Sequence, residues 1–169
     1  MTKQVLIIGG TGKIGYRVAQ DIQKYAQANV TITGRKSFYN ENFPFLQFDL
    51  NNQEQLKPII SKFDLVVHCA GPFHHRDGRV LKNCIEEGIN YIDVSDHRSF
   101  HFQTTQSHQA ALQAVVTAVL HTGVFPGISN LMARKGVEAL DQVESIHLNY
   151  LVGGSASVVV GVDHVEPGV

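Results

Sequence analysis

Val5-Leu6-Ile7-Ile8-Gly9-Gly10-Thr11-Gly12-Lys13-Ile14-Gly15 fixes the fold class of this chain. Val5 to Ile8 is an apolar run that breaks off at glycine, the pattern of a strand buried on both faces. Beyond the glycines, Ile14, Val18, Ile22 and Tyr25 recur at helical spacing and predict a helix to about residue 26. Gly10, Gly12 and Gly15 stand in the order G-x-G-x-x-G between the two elements. That spacing is weak evidence alone, and a preceding buried strand with a following amphipathic helix is the context that gives it meaning. One glycine permits the tight turn, one lets a pyrophosphate approach the backbone, and one lets helix and strand pack closely. Residues Gly9, Gly10, Thr11, Gly12, Lys13, Ile14 and Gly15 are therefore candidate dinucleotide-binding residues, with a ligand-free glycine turn as the bland alternative. The free N–H groups and positive dipole end of the helix would face the anion.

Outward from this turn, short apolar runs and helical patterns alternate. Val30 to Thr33, Leu46 to Phe48, Asp64 to His68, Tyr91 to Val94 and Val115 to Leu120 read as further strands. Leu56, Ile59, Ile60 and Phe63 mark a helix, expected to be broken or to start late because Pro58 lies inside it. Val80, Leu81, Cys84 and Ile85 form the stripe of another helix, closed by Gly88. A polar helix is expected over 103–114, one capped by Ser129 over 130–140, and a last strand near 143–150. This alternation predicts an α/β fold, a Rossmann-type doubly wound parallel sheet. Residues 1–150 are expected to form the dinucleotide-binding domain. Residues 151–169, valine-rich and without helical periodicity, read as an irregular tail, a loose extra strand, or the remnant of a truncated second domain.

Composition excludes several classes of function. A formal charge of −1 over 169 residues gives no basic field for nucleic acid or an anionic membrane. No apolar run approaches the roughly 18 residues that span a bilayer, and the run at Val5 is too short for a signal-peptide core. A cytoplasmic location is expected. Cys69 and Cys84 lie in apolar stretches without CxxC or metal-ligand spacing and read as buried thiols in a reducing compartment. Despite nine histidines no metal site is expected: His74 and His75 should point apart, and His97 and His101 have no third ligand at a recognisable spacing.

The ends of the later strands carry the remaining candidates. Gly34-Arg35-Lys36 follows strand two, where an NAD site holds an acid and an NADP site a cation. No acid is present, so NADP is expected over NAD, a solvated basic loop being the alternative. Asp49 follows strand three and either meets the adenine amino group or caps the next helix after Asn51. Ala70-Gly71-Pro72-Phe73 follows strand four, beside the second ribose and nicotinamide of a bound dinucleotide. Asp93, Ser95, Asp96 and His97 follow strand five. Asp96 or His97 is a candidate for proton transfer, with loop capping the competing role. None of the tyrosines at 16, 25, 39, 91 and 150 has a lysine four residues on, so the Tyr-x-x-x-Lys pair of short-chain dehydrogenases and extended-type epimerases is missing. There is no G-x-S-x-G elbow and no P-loop Lys-Ser/Thr pair.

GGTGKIG at 9–15, TGRK at 33–36, HCAGPF at 68–73, YIDVSD at 91–96 and TGVFPGISNLMA at 122–133 together resemble the saccharopine dehydrogenase-like (saccharopine reductase-type) NAD(P)-binding family, in its N-terminal Rossmann domain. The resemblance covers roughly residues 4 to 154. It implies that Ala70-Gly71-Pro72 lines the nicotinamide half of the site and that the glycine turn and the Arg35 region hold the adenosine phosphates. It also implies an NADP-dependent oxidoreductase that moves a hydride to or from an imine or carbonyl carbon of an amino-acid-like substrate. In that family a second domain shapes the substrate pocket and often a homodimer. A chain that ends at Val169 is expected to bind cofactor and turn over poorly. The competing expectation is a non-catalytic NADP-binding module, a sensor or assembly partner. The resemblance leaves the catalytic residues unassigned.

Overall fold

The computed structural model describes residues 2–39, 41–152 and 158–162. It contains β1 (Gln4–Ile8), α1 (Lys13–Tyr25), β2 (Asn29–Gly34), β3 (Phe45–Gln47), α2 (Gln53–Ile60), β4 (Leu65–His68), α3 (Arg79–Glu86), β5 (Asn90–Asp93), α4 (Arg98–Thr104), α5 (His108–Gln113), β6 (Ala118–Val119), α6 (Ile128–Glu138), β7 (Leu148–Val152) and β8 (Val158–Val162). The chain forms two compact units, residues 1–122 and 123–169, and the division expected at residue 150 falls inside the second.

The first unit holds a six-stranded sheet in the order β3-β2-β1-β4-β5-β6, with every pair parallel. This is the doubly wound Rossmann order, and its direction reverses between β1 and β4. The apolar runs follow from the layers. Successive side chains of a strand point to opposite faces. Leu6 and Ile8 pack on one face with Leu56 and Ile60 of α2 and Leu81 and Cys84 of α3. Val5 and Ile7 pack on the other with Ala19 of α1, Val30 and Ile32. Both faces of β1 are covered, so both alternating sets must be apolar.

Several expectations change in detail. Helix α1 buries Gly15 and Ala19 and half-buries Tyr16, Val18 and Ile22, whereas Ile14 and Tyr25 are 58% and 73% exposed. The buried stripe is thus one residue out of phase with the apolar one at its start, because Gly15 must meet the turn. Helix α2 runs through Pro58 unbroken and starts early, at Gln53. Proline removes one backbone donor there, and the anchors Leu56 and Ile60, almost wholly buried, outweigh that loss. The polar helix expected over 103–114 is divided into α4, a 3-10 turn at Thr105–Ser107, and α5. Thr104 and Thr105 donate their hydroxyls back to the Phe100 and His101 carbonyls, a competition that distorts helices. Strand β6 is shorter than expected because Val115 takes a left-handed φ of 56° and stands 90% exposed in a turn.

In the second unit α6 begins at Ile128 after Gly127, so Ser129 sits in the first turn and does not cap it. Strand β7 pairs antiparallel with β8 in a separate two-stranded sheet, so the strand expected near 143–150 does not extend the parallel sheet. Of the tail, residues 158–162 form that extra strand; 153–157 and 163–169 lie outside the described residues.

Candidate dinucleotide site

Where the sheet order reverses, the turns after β1 and β4 separate and leave a cleft of about 220 Å³. Such crevices at the carboxyl ends of parallel strands are where open α/β sheets bind ligands. Gly9, Thr11, Gly12, Gly34, Arg35, Asp49, Ala70 and Gly71 line it, along with Ile8, Thr33, Phe48, Leu50, Cys69 and Arg76.

The glycines divide the work of the turn. Gly9 carries the left-handed φ of 81°, and a Cβ there would come within 2.8 Å of the Ala70 backbone. The tight turn therefore falls one residue ahead of the G-x-G-x-x-G spacing. A Cβ on Gly10 would lie 2.6 Å from Ile32 Cβ, and one on Gly15 would overlap the Gly9 carbonyl oxygen. Those two glycines serve packing and do not line the cleft. At Gly12 a Cβ would meet only the Gly9 oxygen, at 3.3 Å, and the cleft beyond is open. Helix α1 starts immediately after Gly12, with no side-chain cap and no acid in its first turn. Its orphan N–H groups and positive dipole end are not neutralised by the protein, which is the environment a phosphate requires.

Thr33 ties the turn to β2. Its hydroxyl accepts from Gly9 N–H at 3.2 Å, and its carbonyl from Thr11 N–H at 3.4 Å. Thr33 was not among the residues expected from sequence; a threonine closing a β-branched strand is ordinary, and only the fold places it under the turn. Past β2, Arg35 and Lys36 are exposed, and Arg35 lines the cleft. Gln47 donates to the Arg35 carbonyl at 3.1 Å and fixes its backbone. Arg35 has no ion pair among the described residues.

Asp49 is exposed at the cleft, and its Oδ1 accepts from Asn51 N–H at 2.9 Å. The residue that precedes α2 as cap is Asn52, so Asp49 makes an Asx turn ahead of the helix and does not cap it. Lys13 and Ile14 are exposed at the start of α1. Pro72 is exposed, whereas Phe73 is buried against His68 and Phe100, at ring separations of 5.1 Å each, and anchors the loop from beneath.

In and after β5, Asp93 and His97 make local hydrogen bonds. Asp93 is buried, and its Oδ1 accepts from Ser95 N–H at 3.0 Å and His121 N–H at 2.9 Å; burial raises its carboxyl above the ordinary range. His97 caps α4, its Nδ1 accepting from Ser99 N–H at 3.3 Å, while Asp96 is exposed. His74 and His75 do not point apart: their ring centroids lie 3.9 Å from each other in the 3-10 turn at Phe73–His75. Among the described residues no group of three or more His, Cys, Asp or Glu side chains is arranged to hold a metal. Beneath the cleft, His68 is wholly buried with Nδ1 3.0 Å from the Tyr91 hydroxyl. Desolvation, reinforced by the Arg76 charge, lowers its pKa to about 3, so it is neutral. The Cys69 thiol at the cleft is pushed up to about 12, first by burial and then by the charge of Asp93. That thiol therefore stays protonated near neutrality.

A larger groove of about 500 Å³ lies elsewhere in the first unit, walled by apolar residues such as Leu81, Ile85, Ala111, Leu112 and Val116. It lacks the glycine turn, and no Lys, Arg, Asp or Glu lines it.

The site so built has known counterparts. The chain is 29% identical over 89 residues to a saccharopine dehydrogenase-like oxidoreductase of Rattus norvegicus, which covers 53% of this chain and 20% of that protein. It is 23% identical over 114 residues to a sterol-4-alpha-carboxylate 3-dehydrogenase (decarboxylating) of Mus musculus, covering 60% of this chain and 32% of that one. In fold it is similar to apo saccharopine dehydrogenase (L-Glu forming) of Saccharomyces cerevisiae, with a TM-score of 0.67 at 20% identity over 81% of this chain and 31% of the other. The chain therefore spans a third or less of the length of these relatives. The family model described as "Saccharopine dehydrogenase NADP binding domain" matches residues 5–119, which hold the parallel sheet except for Gln4. This chain belongs to that family, and its residues 5–119 form an NADP-binding domain of saccharopine dehydrogenase type.

Proposed function

We propose that the protein is an NADP-dependent oxidoreductase acting on an imine or carbonyl carbon of an amino-acid-like substrate. The observation that carries this reading is the convergence of three turns on one cleft: the uncapped start of α1, the Gly34-Arg35 turn and the Ala70-Gly71 wall. Gly12 leaves room for a pyrophosphate, the N–H groups of the first helical turn bind it, and Arg35 meets the 2′-phosphate. Bound NADPH would supply a hydride from its nicotinamide C4. Ala70 and Gly71, with little or no side chain, allow the dinucleotide to lie close to β4. Lys36 adds a second positive charge at the rim, and Asp49 accepts from the adenine amino group. A cytoplasmic location and a homodimer belong to the same reading, as does a substrate domain continuing beyond residue 150.

A second reading, a non-catalytic NADP-binding module, is favoured by one observation: the thiol that lines the cleft, Cys69, is held protonated by burial. Calorimetry with NADPH and NADH, followed by NADPH oxidation assays with mixtures of 2-oxo acids and amines, separates the two. Tight NADPH binding without oxidation, in this chain and in any longer natural form, would favour the module.

Cofactor choice is tested at Arg35. Arg35→Ala should weaken NADPH by roughly tenfold and leave NADH nearly unchanged, since a charge-assisted hydrogen bond at an exposed rim is worth about 1.5 kcal/mol. Raising salt should erode the preference for NADPH. Parallel weakening of both nucleotides would remove Arg35 from the 2′-phosphate.

A further inference from the structure

Arg76 is a cation without an acid. It is half-buried and lines the cleft together with Gly12, Ala70 and Gly71. Its Nε donates to the Ala70 carbonyl at 2.9 Å and its Nη2 to the Gly71 carbonyl at 3.3 Å. The neighbouring acid in the chain, Asp77, is taken by Arg79, at 2.7 Å from Nε to Oδ1 and 2.6 Å from Nη2 to Oδ2. Among the described residues Arg76 makes no ion pair. A guanidinium drawn partly out of water is costly unless an anion meets it. Two of its five N–H donors are spent on carbonyls, and three remain.

Its place relative to the phosphate turn indicates which anion. Ala70, whose carbonyl it holds, lies so near Gly9 that a Cβ there would come within 2.8 Å of its backbone, and Cys69 N–H donates to the Ile8 carbonyl at 2.8 Å. The wall that Arg76 braces is thus the one facing the glycine turn. Phe73 anchors the same loop in the core, and Arg76 N–H donates to the Phe73 carbonyl at 3.1 Å. The loop is fixed at both ends, so the guanidinium is held in place before any ligand arrives.

We propose that Arg76 is a second cationic residue for the dinucleotide, meeting the pyrophosphate from the β4 side while it braces the Ala70-Gly71 wall. The proposal rests on the cofactor reading above. It differs from the role of Arg35 in a measurable way, because the pyrophosphate is common to NADPH and NADH whereas the 2′-phosphate is not.

The experiment is calorimetric titration of the 169-residue chain with NADPH and NADH, for wild type, Arg76→Gln, Arg76→Lys and Arg35→Ala, with a thermal melt of each. Arg76→Gln should weaken both nucleotides by the same factor, roughly tenfold or more, and leave the ratio of the two Kd values unchanged. Arg76→Lys, which keeps the charge but loses the planar fork, should weaken both in parallel and by less. Arg35→Ala should change the ratio. Should Arg76→Gln melt well below wild type, Arg76→Lys carries the comparison. Unchanged affinity in both Arg76 variants, or a loss confined to NADPH, would overturn the proposal. Wild type binding neither nucleotide would instead overturn the cofactor reading on which it stands.

Discussion

Gly12 and Gly15 stand in one turn, yet a side chain has opposite consequences at the two. At Gly12 the added atoms would enter the open cleft, so Gly12→Val should melt like wild type and lose NADPH. At Gly15 even a methyl would overlap the Gly9 carbonyl oxygen and press on Gly10 Cα at 2.9 Å. Gly15→Ala should therefore lower Tm, since helix and turn must move apart. Melting curves beside NADPH titrations separate the effects, and a Gly12→Val chain with native affinity would take the pyrophosphate away from this turn. The same logic explains Gly10, which packs on Ile32. Of three glycines that look alike in sequence, two thus serve packing and one opens on the cleft.

Among the elements, α3 shows most directly how sequence sets a boundary. Its stripe of Val80, Leu81, Cys84 and Ile85 is buried, and its end is closed by Gly88 at φ 70°. Gly88 N–H donates to the Ile85 carbonyl at 3.2 Å and Ile89 N–H to the Cys84 carbonyl at 2.8 Å, the two bonds of a Schellman motif. No atom lies within 4 Å of a Cβ built there, so the penalty of a side chain is backbone conformation alone. Gly88→Ala should cost about 1 kcal/mol in chemical denaturation, and Gly88→Asn less. An unaltered denaturation midpoint in Gly88→Ala would mean that the helix ends in another conformation. Helix α2 gives the contrary lesson: Pro58 marks a break in local terms, and tertiary burial of Leu56 and Ile60 carries the helix through it.

For the whole molecule, the buried pair of His68 and Tyr91 makes stability depend on pH. His68 sits at the carboxyl end of β4, opposite Asp93 of β5, with Arg76 and Asp77 acting on it from the following loop. Its pKa is about 3 when folded against 6.5 ordinarily, so below pH 6.5 the unfolded chain binds a proton that the folded chain refuses. Its contribution is fully present above pH 6.5 and is lost as pH falls toward 3, with a slope approaching 1.4 kcal/mol per pH unit. Asp93 works in the opposite direction, because its raised carboxyl favours the folded state increasingly as pH falls toward its ordinary 3.8. His68 is therefore best seen just below pH 6.5, where its unfolded form begins to bind a proton. Urea denaturation at pH 7.0, 6.0 and 5.0 should show falling stability in wild type and a flatter profile in His68→Gln. Equal slopes in the two proteins would show that His68 is not the group responsible.

Local patterns along the chain are enough to set the layers and the turn. Doubly buried strands need continuous apolar runs, and a phosphate turn needs glycines at fixed offsets. Both are local demands, legible at Val5 to Gly15 and again at Val80 to Gly88. Arg35, Asp49, Ala70 and Gly71 were legible as well, because each follows a strand and the parallel order brings strand ends to one edge. Tertiary structure alone decided which of these side chains reach the cleft. Phe73 went into the core, Lys36 stayed outside the lining, and Thr33 and Arg76 entered through hydrogen bonds to backbone groups that no spacing records. It also separated β7 from the parallel sheet, since an apolar strand carries no mark of the partner it will pair with. A pattern in sequence specifies which face of an element is apolar; what covers that face, and which polar group is left to meet a ligand, depends on residues distant in the chain.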